Sequence, residues 1–254
     1  MHKLPALQAI RHALKAVIQF RRAGTRIGLP WVLVLAVVTF LDRNFSVAPD
    51  SADSTTGMMF LRPTELIIAA FSLVIFSSIA VNWHRYILLD EVTASEKIFR
   101  LDRPVWRYAG RTLLIMLATL VPVIIFSTVF ITAVPSFGAL LAVPFFVAGI
   151  YIMRMSVALP AIALERKDFG IGPALQVTRG NNLQFAALLA LNALILLATF
   201  LVLGITLAIV GSVNMTVARI LAVVLSVPVN LFLSLFSVSL LSSLYGFFVE
   251  QRKF

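Results

Sequence analysis

The sequence contains no cysteine, and this absence excludes disulfide bonds, thiol catalysis and cysteine-ligated metal sites. Acidic residues are scarce, because 11 Asp and Glu stand against 21 Lys and Arg and give a formal net charge of +10. Histidine occurs three times, and the sequence lacks paired carboxylates, a nucleophile beside a base, a glycine-rich phosphate loop and metal-ligand spacing. We therefore expect no catalytic residues, no metal, no cofactor and no enzyme activity.

Charged residues of either sign make up only 13% of the chain, whereas 60% of it is apolar and the mean hydropathy is +0.99. From Thr112 to Met153 there is no Asp, Glu, Lys, Arg or His. A helix crosses a bilayer with about 20 apolar residues, so this stretch holds two spans. The segment from Pro135 to Gly138 provides the turn, because proline lacks an amide and glycine tolerates tight bends. A membrane helical hairpin is therefore predicted.

The remaining pattern predicts an all-α fold, a polytopic membrane bundle of six transmembrane helices with short cytoplasmic interfacial helices. Residues 1–26 are predicted to form a basic amphipathic interfacial helix, residues 27–250 the six-span domain and residues 251–254 a cytoplasmic tail. In addition to the two spans of the hairpin, the predicted spans are Ile27–Leu41, Leu66–Trp83, Leu183–Val210 and Thr216–Val249.

Two short surface helices are predicted between the spans. Thr93 and Glu96 form a capping box for the first helix, which Pro104 ends, and Ala174–Arg179 forms the second.

The N-terminal segment carries apolar residues at helical spacing, among them Leu4, Leu7, Ile10, Leu14, Val17 and Ile18. Basic residues occupy the other positions, and such a helix is expected to lie among lipid headgroups with its apolar stripe toward the membrane. A nucleic-acid-binding arm is disfavoured because the stripe is too regular for a solvated tail. No nucleic-acid partner is therefore expected.

Basic residues predict the orientation of the chain. Eighteen of the 21 Lys and Arg fall on the side that holds both termini, and only Arg43, Arg62 and Arg219 fall on the other side. Tryptophan and tyrosine residues also cluster near the predicted helix ends on the first side. Cytoplasmic segments are enriched in Lys and Arg, so both termini are predicted to be cytoplasmic.

A weak internal repeat accompanies this pattern. Three segments pass from apolar to acidic residues at spacings of about 74 and 85 residues, namely Tyr86–Glu91, Pro160–Glu165 and Tyr245–Glu250. Three stacked hairpins would explain the repeat, although any helix that leaves a membrane can have this pattern. Both interpretations stay open.

The sequence around these segments, in Trp83–Glu91, Arg154–Glu165 and Ala174–Asn181, resembles a broad group of uncharacterised bacterial six-helix membrane proteins. That group is similar to the membrane domain that precedes the catalytic domain of some glycerophosphodiester phosphodiesterases. The resemblance implies a multi-pass protein of a bacterial inner membrane. It does not imply phosphodiesterase activity, because no soluble catalytic domain follows Glu250 in this sequence.

Four residues near the predicted cytoplasmic helix ends are candidate contacts for lipid headgroups: Arg85, Arg154, Arg179 and His84. His84 is expected to be an interfacial anchor, and a ligand or proton-relay role would require a partner such as Asp90 or Glu91. Arg154 either lies well inside the bilayer or extends to a lipid phosphate, and the second alternative is favoured. A cradle of Arg85, Arg154 and Arg179 around a phosphate is one hypothesis.

Polar residues within the last two spans are candidate intramembrane contacts: Asn192, Ser226, Asn230, Ser234 and Ser237. Such stripes commonly bond neighbouring helices, at about 1 kcal/mol or less per contact, and a pore or substrate path is the alternative.

Two functions are compatible with the sequence. The first is a non-catalytic scaffold or accessory subunit that binds anionic lipid of the cytoplasmic leaflet or another membrane protein. The second is a permease or channel component for a small or lipid-like solute. The lack of acidic residues within the predicted spans disfavours proton- or sodium-coupled transport.

Overall fold

The computed structural model describes residues 3–45, 63–94, 97–133 and 140–252, and within these ranges the chain is all-helical without strands. The described helices are α1 (Ala6–Gln19), α2 (Arg21–Phe45), α3 (Pro63–Leu89), α4 (Arg103–Ala133), α5 (Ala142–Ser156), α6 (Leu159–Ala163), α7 (Ile171–Val177), α8 (Asn182–Val213) and α9 (Met215–Phe248). The turn predicted at Pro135–Gly138 and the predicted cap residue Glu96 lie outside the described residues.

Six helical segments of the described chain are long and apolar enough to cross a membrane: Arg21–Leu41, Pro63–Leu89, Arg103–Thr132, Ala142–Ala163, Asn182–Val213 and Met215–Phe248. The predicted all-α fold with six such helices is therefore confirmed at this level. Several of these helices exceed the length that a bilayer requires. The 34 residues of α9, for example, extend over about 51 Å at 1.5 Å per residue.

Helix α9 is the central element of the bundle, since it packs against α1, α2, α3, α6 and α8. Helix α4 packs against α3 and α5, and α5 continues the arrangement to α8. The short helix α6 lies among α3, α4 and α9, and most of its side chains are fully buried. The helices α3, α4, α5, α8 and α9 thus form a closed series in which each packs against the next, and α6 packs against three of them.

The packed core occupies one half of the bundle. We call this half the basic end; it comprises α1, α6, α7, the first turns of α2, α4 and α8, the last turns of α3, α5 and α9, and the described segments that connect these helices at this end. In α8 the buried residues are Phe185 and Leu188, both near the helix start, whereas Leu197 and Ile205 are more than half exposed. Continuous exposed apolar surface of this kind suits contact with lipid or with a partner.

Helix α1 packs against protein rather than lying freely on a surface. The side chains that face α8 and α9 are small or apolar and are buried: Ala9, Ile10, Ala13, Ala16 and Val17. Leu7 and Ile18 remain exposed. The expectation that the whole apolar stripe faces the membrane is therefore wrong for most of its residues. The helix also ends at Gln19, and α2 begins at Arg21 rather than after residue 26.

The surface helix predicted to end at Pro104 is wrong in the described residues. Glu91–Ala94 is not helical, and Lys97–Phe99 forms a single turn. Pro104 lies in the first turn of α4, where its missing amide removes no helical hydrogen bond. The second predicted surface helix corresponds to α7, which begins three residues earlier than expected.

Candidate functional site at the basic end

Asn82 and Trp83, near the end of α3, join separate parts of the basic end. Both side chains are buried, and successive helical residues point about 100° apart, so they reach different neighbours. The Asn82 amide donates to the Lys97 carbonyl at 3.1 Å. The Trp83 indole donates to the Ser239 hydroxyl of α9 at 2.8 Å. The two bonds attach α3 to α9 and to the segment before α4.

His84 continues this set and is fully buried. Its Nδ1 lies 2.8 Å from the Ser242 hydroxyl of α9, and its Nε2 lies 3.3 Å from the Tyr108 hydroxyl of α4. Both ring nitrogens therefore have partners inside the protein. The expected interfacial anchor is corrected to a packing residue that connects three helices, and neither Asp90 nor Glu91 is its hydrogen-bond partner.

Arg154 is also enclosed, with 6% of its surface exposed. Its guanidinium donates to Thr178 Oγ1 at 3.0 Å, to Asn182 Oδ1 at 2.9 Å and to the Leu175 carbonyl at 2.8 Å. Leu175 and Thr178 lie at the C-terminal end of α7, where orphan carbonyls favour a cation, and Asn182 is the first residue of α8. The guanidinium is thus bonded within the protein, which argues against the favoured extension to a lipid phosphate. Arg154 lies in the candidate span Ala142–Ala163, and its depth in a bilayer stays a prediction.

Arg85 connects two of the three repeated segments. Its guanidinium pairs with Glu91 at 2.6 Å, approaches Glu165 at 3.5 Å and donates to the Ala163 carbonyl at 3.2 Å. The hydrogen bond from Arg85 holds the pKa of the Glu91 carboxyl below its usual value. Arg179 is exposed beyond α7. Because Arg85 and Arg154 are engaged within the protein, these three arginines do not form the expected phosphate cradle.

The three repeated segments share an unusual backbone feature. Asp90, Glu165 and Gln251 have φ values of 53°, 58° and 55°, in the left-handed region that commonly ends helices. After α6, the Arg166 amide bonds the Ala161 carbonyl and the Glu165 amide bonds the Ile162 carbonyl, which is the Schellman pattern. The left-handed residue shifts by one position between successive segments, so the repeat is approximate.

A basic cleft, which the sequence interpretation missed, opens between the start of α4 and the segment after α6. Four cationic residues line it: Arg107, Arg111, Arg166 and Lys167. Its volume is about 590 Å³, and Leu114, Ile162 and Phe169 supply apolar walls. Glu165 is the carboxylate of the lining, and it also faces Arg85. The cleft therefore carries a surplus of positive charge beside apolar surface.

A sequence signal for the cleft existed in α4. Arg107 and Arg111 are four residues apart, and this spacing places them on one face of a helix. The positions of Arg166 and Lys167 depend on the turn after α6. They depend also on a hydrogen bond that the Arg166 guanidinium donates to the Tyr245 hydroxyl at 2.9 Å. That long-range contact could not be obtained from spacing.

The predicted polar stripe of α9 does not bond neighbouring helices through its first residues. The Asn230 amide donates to the Ser226 carbonyl at 2.8 Å, and the Ser226 hydroxyl donates to the Val223 carbonyl at 2.7 Å, so both bonds stay within α9. Ser234, Ser237 and Asn192 are half-buried.

The serines that bond across helices lie nearer the end of α9 and were missed. They are Ser239 and Ser242, described above, and Ser243, whose hydroxyl lies 2.9 Å from His12 Nδ1 of α1. The run of serines in the last turns of α9 was the sequence signal for these contacts. Their partners could not be predicted, because they are distant in sequence.

The fold and the cleft define a class: an all-helical protein with six helices long enough to span a membrane and a basic cleft at its packed end. Within the described residues, no group of three or more His, Cys, Asp or Glu could hold a metal ion. No protein-family model, curated protein or solved structure matches the chain. The resemblance to six-helix membrane proteins therefore stays a prediction.

Proposed function

We propose that this chain is a non-catalytic, multi-pass protein of a bacterial inner membrane that binds an anionic lipid headgroup in the basic cleft and acts as a scaffold or accessory subunit. The observation that carries the proposal is the grouping of Arg107, Arg111, Arg166 and Lys167 around one cleft. The positive-inside rule places this cleft, with both termini, on the cytoplasmic side.

The chemistry of the cleft favours a phosphate that is attached to an apolar group. Guanidinium groups bind phosphate oxygens with paired hydrogen bonds, and Arg107 and Arg111 project from the same face of α4. One turn further along α4, Leu114 begins an exposed apolar surface that continues along the helix. A lipid can place its headgroup among the cations and its chains along this apolar surface, whereas a free anion would contact only the cations.

Lipid retention tests the proposal. The full chain and the double variant Arg107→Gln/Arg111→Gln are purified in mild detergent from vesicles that contain equal amounts of phosphatidylglycerol and phosphatidylcholine. Bound lipid is counted by native mass spectrometry. We expect the variant to lose phosphatidylglycerol about tenfold or more, since each basic residue near a membrane surface contributes about 1 kcal/mol.

A charge-matched control separates a site from general attraction. Arg11 and Arg22 are exposed residues of the basic end that do not line the cleft. The variant Arg11→Gln/Arg22→Gln should retain phosphatidylglycerol like the parent chain. Equal loss in both variants would contradict a specific cleft and would leave only diffuse attraction of the basic end.

The permease or channel alternative receives less support from the geometry. A solute path would need polar residues along a continuous cavity in the centre of the bundle. Ser239, Ser242 and Ser243 are instead engaged in contacts between packed helices. Ser226 and Asn230 line a groove between α2 and α9. This distribution favours the scaffold, for which the exposed apolar faces offer surface to lipid or to another membrane protein.

A further inference from the structure

We infer that the groove between α2 and α9 binds one phospholipid of the leaflet opposite the basic cleft, with the lipid phosphate at Arg219 and an acyl chain along the groove. The α2–α9 groove has a volume of about 730 Å³, which is within the range of about 300–1,000 Å³ that is typical of ligand sites. The inference rests on the membrane insertion proposed above, but not on the basic cleft.

The shape of the groove follows from two glycines of α2. A Cβ atom built at Gly24 would lie 2.6 Å from Leu235 Cδ1, and one built at Gly28 would press on Leu231 Cδ1. Helices α2 and α9 are therefore in close contact at these glycines. Beyond Gly28 the glycine contacts end, and the groove begins at Val32.

The length of the groove matches one leaflet. Arg219 and Asn230 both line the groove and are 11 residues apart on α9, which corresponds to about 16 Å of helix. The hydrocarbon core of a bilayer is about 30 Å thick, so one leaflet occupies about 15 Å. An acyl chain that extends from Arg219 to Asn230 would therefore end near the bilayer centre.

The charge of the groove favours an anionic headgroup. Arg219 is exposed one turn after the start of α9, and no carboxylate pairs with it among the described side chains, which leave out residues 42–62. The walls beside it are apolar, with Leu35, Phe40 and Val223 among them. A second copy of the chain would have to bring a carboxylate to this depth, whereas a lipid phosphate supplies the charge at the interface. We therefore assign the groove to lipid.

Fluorescence quenching tests the inference, because the chain lacks cysteine and an introduced thiol is unique. Bimane is attached to Ala36→Cys inside the groove or to Ile205→Cys on the exposed face of α8, at a similar distance from the helix end. The proteins are reconstituted with brominated phosphatidylglycerol or brominated phosphatidylcholine. We expect about fivefold preference for phosphatidylglycerol at position 36 and none at position 205.

The variant Arg219→Gln in the Ala36→Cys background should lose the preference while quenching by both lipids persists. Equal quenching by the two lipids at position 36 would overturn the inference and leave membrane insertion intact. Weaker quenching by both lipids at position 36 than at position 205 would show that protein covers the groove, and would overturn it as well. Absence of quenching at both positions would overturn both the inference and the proposed insertion.

Discussion

At the residue scale, two buried polar side chains of the basic end, Arg154 and His84, have partners within the protein. Arg154 has three neutral acceptors, and His84 lies between two hydroxyl groups. Removing one partner of a buried polar contact leaves the other desolvated, and this costs more than the contact itself contributes. These residues are therefore expected to affect stability more strongly than lipid binding.

Replacement of Arg154 tests this distinction. The variant Arg154→Gln should lower the free energy of unfolding by about 3 kcal/mol, because Thr178 Oγ1, Asn182 Oδ1 and the Leu175 carbonyl lose a charged donor. Thermal unfolding in mild detergent measures the loss. Arg179→Gln, at an exposed position, should change stability little. A similar loss in both variants would contradict a packing role for Arg154.

His12 makes the docking of α1 sensitive to pH. Burial and then the charge of Lys15 lower the pKa of His12 below its usual value of 6.5. The folded chain thus binds this proton less readily than the unfolded chain. The stabilisation from neutral His12 is complete above pH 6.5, and it is lost as the pH falls from 6.5 through the lower pKa of the docked state.

Hydrogen exchange of α1 checks this expectation. Exchange of the α1 amides, corrected for the intrinsic effect of pH, should accelerate between pH 7 and pH 5, because the charge on a partly buried His12 beside Lys15 destabilises the docked helix. The variant His12→Asn does not titrate in this range and should lack the acceleration. Undiminished acceleration in the variant would contradict the assignment to His12 and would show that another group causes the effect.

At the element scale, the close contact between α2 and α9 depends on small residues. Small residues four positions apart let helix backbones approach each other in membranes. Gly24 and Gly28 have this spacing in α2, and a side chain at either position would meet a leucine of α9. The contact joins the first of the six long helices to the last.

Substitution of Gly28 should weaken this contact. We expect Gly28→Leu to lower stability by about 1–3 kcal/mol, the usual cost of overpacking, because Leu231 occupies the added volume. Gly204→Leu is the matched control, since Gly204 also lies within a long helix and a Cβ there would meet nothing within 4 Å. Unfolding of both variants in detergent provides the comparison. An equal change would show that α2 and α9 separate without cost.

Most of the long helices could be predicted from sequence because their signal is local: about 20 apolar residues between charged ends suffice. Their exact ends could not, since α4 begins at Arg103 and α9 continues for 34 residues, so that both include turns of ordinary amphipathic character. The candidate site was less predictable. Each contact of His84 is made to another helix, and the Ser242 hydroxyl is 158 residues away in sequence. Spacing along one helix carries no information on such partners.

At the scale of the whole molecule, charge and exposure divide the bundle in two. The basic end contains most of the packed core, whereas the opposite halves of α4, α5 and α8 expose apolar side chains. In water such a surface would associate, and in a bilayer it would contact acyl chains. The division supports the proposed orientation with the basic end in the cytoplasm.

Single-cysteine variants test that orientation in intact cells. Gln8→Cys lies on the exposed side of α1, and Val213→Cys lies at the opposite end of the bundle, where Val213 is 86% exposed. A membrane-impermeant maleimide should label only Val213→Cys, and Gln8→Cys should react only after permeabilisation. Labelling of Gln8→Cys alone would show the opposite orientation. Recovery of both variants without detergent would contradict membrane insertion.

The central position of α9 has a consequence for how the molecule is made. Trp83 precedes its acceptor Ser239 by 156 residues, and a ribosome that adds about 5–20 residues per second needs about 8–30 s for that distance. During this interval the first two long helices have left the translation machinery while the surface that they pack against does not yet exist. Until the last helix arrives, lipid, the insertion apparatus or a chaperone must shield the surfaces that later contact α9. These surfaces are the Trp83 indole and His84 imidazole of α3 and the glycines of α2.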